Sequence, residues 1–187
     1  MLSKVVDEIS DTLTSLIKGT DDVLTALRGA VKNQVSGSLK DVSDLTTGAV
    51  SVVADTVSGA LKSASNVGTS LVDATKTTVV SALDAVSEAG GNVANAGKGA
   101  VSGAVRAAAD VGGDVGKVAV SAVEGVLEAA GKVGKDTVEA TGDAVAAAVK
   151  AAEEVGGETG KSVRSALLSA ASLPRDVVEK VLGGSKA

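Results

Sequence analysis

Apolar and charged residues recur along this chain with an 11-residue period. When the sequence is cut into 11-residue segments from Lys4, positions 2, 3, 6, 9 and 10 of each segment are mostly Val, Ala, Leu, Ile or Gly. Positions 4 and 8 are mostly charged, and no insertion or deletion breaks the register. Apolar spacing of i, i+1, i+4, i+7 and i+8 is typical of an α-helix and not of a half-buried strand. The pattern therefore predicts helix with one apolar face and one charged face.

Glycine adds a second, 22-residue period. Position 10 of the segments alternates between a branched aliphatic residue and glycine, which gives Gly68, Gly90, Gly112, Gly134 and Gly156. The Gly-Gly pairs that begin at 90, 112 and 156 can be turns between helices of about 18 residues. Alternatively, one long helix runs through the glycines, which then let another backbone approach closely. The unshifted 11-residue phase favours the long helix, and a helix that forms only on a surface is the third possibility.

These patterns predict an all-α fold made of a long amphipathic helix or helices on the uninterrupted repeat, packed as a hairpin, a bundle or a lateral assembly. Residues 1–173 are expected to form one repeat region, and Pro174 opens a short helix and tail over 174–187. Residues expected to pack together or to contact lipid are Val50, Val57, Leu61, Val72, Val79, Leu83, Val101, Val105, Val123, Leu127, Val138, Val145, Val149 and Leu167. The five glycines of the 22-residue period are expected at close approaches between helices.

Such a helix needs burial of its apolar face. Each interior glycine costs about 1 kcal/mol relative to alanine, so the 23 glycines and the many valines cost roughly 20 kcal/mol or more in total. Ion pairs between residues four apart, such as Glu128 and Lys132, return only about 0.2–0.5 kcal/mol each. The missing stabilisation must come from burying the Val/Ala stripe against other helices or an apolar surface.

Composition excludes most site chemistry. The chain has no His, Cys, Phe, Trp or Tyr, so it lacks an imidazole base, a thiolate nucleophile and the usual ligands of zinc and haem. We expect no enzymatic activity, no cofactor, no metal site and no small-molecule substrate. A net charge of −5 and the absence of aromatic stacking platforms also argue against a nucleic-acid partner.

The hydropathy pattern bears on location. The longest uninterrupted apolar runs fall short of the roughly 18–20 residues that span a bilayer. The first residues carry no apolar segment with a cleavage site of the kind that signals secretion. We therefore expect a cytoplasmic protein that is neither secreted nor transmembrane, with a peripheral position on a membrane or inclusion surface as a variant.

The repeat resembles those of known surface-binding helices. Residues 124–132, with the sequence EGVLEAAGK, are similar to the synuclein repeat. The 11-residue period itself resembles the lipid-surface helices of synucleins, perilipins and exchangeable apolipoproteins, and the repeats of late-embryogenesis-abundant proteins. This resemblance implies a helix that lies on a lipid surface.

Three functions follow as alternatives. The first is a non-enzymatic structural protein that coats a lipid or inclusion surface through its Val/Ala/Gly face, assembles with itself, or does both. The second is a purely protein-protein filament or bundle scaffold. The periodic glycines favour it, because glycine lets the backbone of another helix approach closely and lipid tails do not require such a site. The third is a stress-protective or ice-binding helix, which an extended Ala-rich helix fits. A hydroxyl row at Thr14, Thr25, Ser36, Thr47, Ser58 and Thr69 borders the charged face and ends at Thr69, which favours solvation over an ice-binding array.

Overall fold

In a computed structural model, the chain forms a stack of short helices. The structure describes residues 20–41 and 45–183, together with Lys4, Asp7 and Ile9. Residues 20–41 and 45–183 form eight helices and contain no strand. The helices are α1 (Thr20–Lys40), α2 (Leu45–Asn66), α3 (Leu71–Glu88), α4 (Val93–Asp110), α5 (Val115–Lys132), α6 (Thr137–Val155), α7 (Gly157–Ser169) and α8 (Arg175–Gly183). The all-α prediction is confirmed, and the helices pack against one another.

The 22-residue period is the length of one helix plus one turn. Helices α3 to α6 begin at Leu71, Val93, Val115 and Thr137, which are evenly spaced at this period, and α3, α4 and α5 are each 18 residues long. The interpretation of the glycines as turns is therefore confirmed over this region. The long helix running through them is wrong, because the chain leaves the helix at every 22-residue step.

The turns share one hydrogen-bonding pattern. At the end of α3, the Gly90 N–H donates to the Ser87 carbonyl (3.0 Å) and the Gly91 N–H donates to the Val86 carbonyl (2.9 Å). This pair of bonds satisfies the last carbonyls of a helix and requires a left-handed residue, which glycine adopts without a steric penalty. The same two bonds end α2, α4 and α5, and the left-handed residues are Gly68, Gly90, Gly112 and Gly134, with φ between 65° and 78°.

Each turn also prepares the next helix. The residue just before α3, α4, α5 and α6 accepts a hydrogen bond from a backbone N–H of the first turn, as Asp114 Oδ1 does from the Lys117 N–H at 3.0 Å. These N-capping residues are Ser70, Asn92, Asp114 and Asp136. A glycine that ends one helix and a polar cap two residues later therefore complete each connection.

The helices form two layers. Each described helix contacts only the helices one and two places away along the chain. Consequently α1, α3, α5 and α7 line up in one layer, and α2, α4, α6 and α8 line up in the other. Gly99 of α4 meets Val50 of α2, and Gly103 meets Ala54, so the sequence separation is the same in both contacts and the two helices are parallel. This arrangement is that of a helical solenoid, in which each unit is supported by its nearest neighbours.

Valine and alanine fill the space between the layers. The largest fully buried side chains include Leu27, Leu61, Leu83 and Leu167, but most of the core is Val or Ala. Small side chains allow helices to approach closely, so a thin layer of them still excludes water. Burial against its own helices is thus the source of the stabilisation that the glycine-rich helices require.

The C-terminal segment packs onto the last helices of the stack. Helix α8 follows Pro174 and contacts α6 and α7, with Val177, Val178 and Leu182 buried. The division into 1–173 and 174–187 stays a prediction, and residues 184–187 lie outside the described residues. Among the described helices, none combines the length and the apolar character that crossing a membrane requires.

Candidate functional site

The predicted apolar face lies mostly inside the protein. Its buried members are Val57, Leu61, Val79, Leu83, Val101, Val105, Val123, Val145, Val149 and Leu167. Val50, Val72 and Leu127 are half-buried, and Val138 is exposed. The structure brings the buried members together in one contiguous core. In this conformation, most of the face predicted to meet other helices or lipid meets the chain's own helices.

The five glycines of the 22-residue period are not at close approaches. A Cβ added at Gly68, Gly90, Gly112 or Gly134 would meet nothing within 4 Å. Gly156 separates α6 from α7 in an extended conformation, and a Cβ added there would come no closer than 3.9 Å to the Thr159 hydroxyl oxygen. The prediction of close contacts at these positions is wrong, because a residue that reverses the chain lies at the end of a helix and not between helices.

Other glycines make the close approaches. A Cβ at Gly99 would overlap the carbonyl oxygen of Val50, and one at Gly103 would overlap that of Ala54. A Cβ at Gly125 would lie 2.9 Å from Val79 Cγ1. These contacts set the distances between α2 and α4 and between α3 and α5. The sequence does carry a signal for the first of them, since small residues four apart in a helix lie on one face.

Charged residues join helices of the same layer. Lys62 on α2 pairs with Asp110 on α4 at 2.6 Å, and Arg106 on α4 pairs with Glu154 on α6 at 2.8 Å. In both pairs the acid follows the cation by the same sequence distance, so the contact repeats with the stack. The Arg106 hydrogen bond lowers the pKa of the Glu154 carboxyl below its ordinary value. Each pair has at least one exposed side chain, so these pairs fix helix register more than they add stability.

A groove runs over the layer of odd-numbered helices. It has a volume of about 700 Å³ and is lined by residues of α1, α3 and α5. Because α1 and α5 do not contact each other, α3 forms the floor and the other two helices form the walls. Leu24, Val72 and Val80 supply its apolar surface. A smaller groove of about 340 Å³ continues from Val72 and Glu124 towards α7.

An ion network crosses the larger groove. Glu128 pairs with Lys76 and with Lys132, both at 3.2 Å, and Lys132 also approaches Asp84 at 3.8 Å. Partial burial works against ionisation of Glu128, but the hydrogen bonds from Lys132 and Lys76 outweigh it, so the pKa of this carboxyl lies below its ordinary value. These four side chains thus pair with one another, whereas acidic residues outnumber basic ones over the described lining of the groove as a whole. The described residues contain no group of side chains arranged to hold a metal ion.

The hydroxyl row of the sequence does not form one surface. Thr25 is exposed, Ser58 is buried and Thr69 is half-buried, on or next to different helices. Thr14 and the Thr47 side chain lie outside the described residues. The flat array that ice binding would use is therefore not assembled from the members that the structure describes.

Comparison with known proteins supplies no assignment. No protein-family model matches the chain, and no curated protein is significantly similar to it. The functional argument therefore rests on the sequence and on the contacts described above.

Proposed function

We propose that this protein is a non-enzymatic structural protein, a helical scaffold that acts by packing helix on helix through its Val/Ala/Gly face. The observation that carries the proposal is the contact of Gly99 and Gly103 with the α2 backbone. Such contacts are specific in shape, and only another helix supplies a matching backbone. The absence of His and Cys from the sequence supports the non-enzymatic part of the proposal.

The partners in this proposal are further helices, including those of other copies of the chain. The groove over α3 offers a largely polar surface to such a partner, because its apolar residues are interleaved with the Lys76, Glu128 and Lys132 network. A lipid acyl chain gains little from such a surface. We propose neither a nucleic-acid partner nor a small-molecule substrate.

A coat on lipid or on an inclusion, with a cytoplasmic and peripheral location, is the second candidate. One observation favours it. Ten of the fourteen residues expected to contact lipid lie in one contiguous core, so separating the two layers would expose them together. These side chains would then be buried against the apolar surface, which stabilises the bound state by about 25 cal/mol per Å² of apolar area removed from water. No observation in the described residues favours the stress-protective or ice-binding alternative.

Circular dichroism and light scattering with and without neutral liposomes separate the two candidates. The scaffold proposal predicts a helical protein with a cooperative thermal transition in plain buffer, and a helix signal that liposomes leave unchanged. A chain that is unfolded in buffer and becomes helical only on vesicles would refute the scaffold and support the coat.

A further inference from the structure

The turn at the centre of the molecule has, like the turns at Gly90 and Gly134, a length that preserves the helical phase. Residues 111–114 join α4 to α5 and contain no proline. A Cβ added at Gly112 would meet nothing within 4 Å. The 22-residue unit of one helix and one turn equals six whole turns of helix at about 3.67 residues per turn. If these four residues became helical, the apolar faces of α4 and α5 would stay aligned on one side. If the unit were shorter by half a helical turn, the apolar face of α5 would instead lie on the side of the joined helix opposite to the apolar face of α4.

We infer that the turn at Gly112 can straighten, and that the opened chain then exchanges halves with a second copy of itself. Helices α4 and α5 would join into one helix over residues 93–132, about 60 Å long. Helices α1 to α4 of one copy would pack on α5 to α8 of the other. This inference rests on the proposed scaffold function, because it uses the same helix-on-helix contacts.

The contacts between the two halves argue for a second copy as the partner. Gly97 faces Val126, Gly125 faces Val79, and Lys98 pairs with Asp143 at 2.9 Å. In the exchanged dimer each of these contacts re-forms between chains, so only the turn itself changes. A lipid surface offers no counterpart to the fitted glycine contacts, and a different protein would need the same sequence at the same register.

Cysteine substitutions test the exchange directly, because the chain has no cysteine of its own. A Cβ built at Gly97 lies 3.7 Å from Val126 Cβ, which is close to the mean separation of about 3.8 Å in disulfides. Gly97→Cys and Val126→Cys chains are mixed, unfolded, refolded together at high concentration and oxidised. We expect a disulfide-linked pair of unlike chains on a non-reducing gel. Each single variant refolded and oxidised alone is the control and should give far less disulfide-linked dimer, because the exchange places its cysteine opposite a residue that is not cysteine.

The turn glycine offers a second, independent test. In Gly112→Ala the new side chain is strained in the left-handed turn and favoured in a continuous helix. We expect the dimer-to-monomer equilibrium constant after refolding, measured by light scattering, to rise by at least about tenfold. Gly29→Ala is the matched control, since Gly29 lies within α1 in open space and should leave the equilibrium unchanged.

Three results would overturn the inference. The first is a Gly112→Ala protein that stays as monomeric as the unsubstituted chain at every concentration. The second is a dimer of the Gly97→Cys/Val126→Cys double variant in which every disulfide stays within one chain, which would leave self-association intact but exclude exchange. The third is a Gly112→Ala protein that gains binding to neutral vesicles without forming dimers, which would assign the opened helix to an apolar surface.

Discussion

The central and terminal helices of the stack bury their residues in different ways. Helix α4 buries more than half of its residues, including Gly97, Gly99 and Gly103. Helix α1 buries a single stripe of one residue per turn, namely Val23, Leu27, Val31, Val35 and Leu39. The centre is therefore packed on several sides by small residues, whereas the end uses larger residues on one side and presents polar residues on the other.

The difference follows from position in the stack. A central helix has neighbours on both sides in its own layer and in the opposite layer. Small side chains let these neighbouring helices lie close to it on every side, whereas large side chains would hold them apart. Helices α7 and α1 lie towards the ends of the described region, have one described neighbour each in their own layer, and present a polar outer face. In α7 this face includes Glu158, Lys161 and Ser165, all of which are exposed.

The same substitution in the two regions should have opposite effects. Gly103→Ala adds a methyl group where the Ala54 carbonyl already lies, and we expect the free energy of unfolding to fall by about 2 kcal/mol. Gly37→Ala in α1 meets open space and should raise it by up to about 1 kcal/mol through helix propensity. Urea unfolding of both variants provides the measurement. Equal stabilisation by both would mean that α4 is not packed against α2 as described.

The sequence predicted the helices but not their arrangement. Apolar spacing within each helix-length stretch is a local property, and it predicted the helical state correctly. The turns stayed ambiguous because a four-residue turn added to an 18-residue helix makes a 22-residue unit, which preserves the 11-residue phase. A pattern that counts residues cannot distinguish a turn of this length from one turn of helix.

The glycines show what a finer comparison of positions could have recovered. The turn glycine Gly112 is followed two residues later by the capping residue Asp114, and Gly90 is followed in the same way by Asn92. The contact glycines Gly99 and Gly103 are followed at that distance by valine. Polar caps therefore mark the turns in the sequence. Which helix faces Gly99 depends on contacts with a segment two helices earlier, and no local pattern carries that information.

Helix caps offer a second way to compare centre and end, with a smaller effect. Asp114 caps the central helix α5, whereas Gly156 precedes α7 at the same position and supplies no side-chain cap. We expect Asp114→Ala to lower the free energy of unfolding by about 1 kcal/mol and Gly156→Asp to raise it by a few tenths. Denaturant unfolding measures both changes. If Asp114→Ala left the stability unchanged, the turn before α5 would not depend on its cap.

The cap should also depend on pH. The hydrogen bond from the Lys117 backbone N–H lowers the pKa of Asp114 below its ordinary value of 3.8. A carboxyl with a lowered pKa in the folded state contributes stability above its ordinary pKa and loses it as the pH falls through the folded value. Asp114→Asn keeps the cap without the titration, so its stability should fall less than that of the unsubstituted chain on acidification below about pH 4. Urea unfolding of both chains at a series of pH values measures the difference. An equal loss of unfolding free energy in the two chains on acidification would show that titration of the cap does not affect stability.

The smallest expected effect concerns the ion pairs that link helices of one layer. In Arg106→Gln the carboxyl of Glu154 loses the hydrogen bond that lowers its pKa, so that pKa should rise towards its ordinary value of 4.5. Arg175→Gln, which removes a pair within the terminal helix α8, should leave the pKa of Glu154 unchanged. NMR titration of the Glu154 side chain distinguishes the two variants. Because the Arg106 pair joins α4 to α6, its effect on Glu154 reports directly on the register between those helices. An unchanged pKa in Arg106→Gln would show that the two helices do not meet at this register in solution.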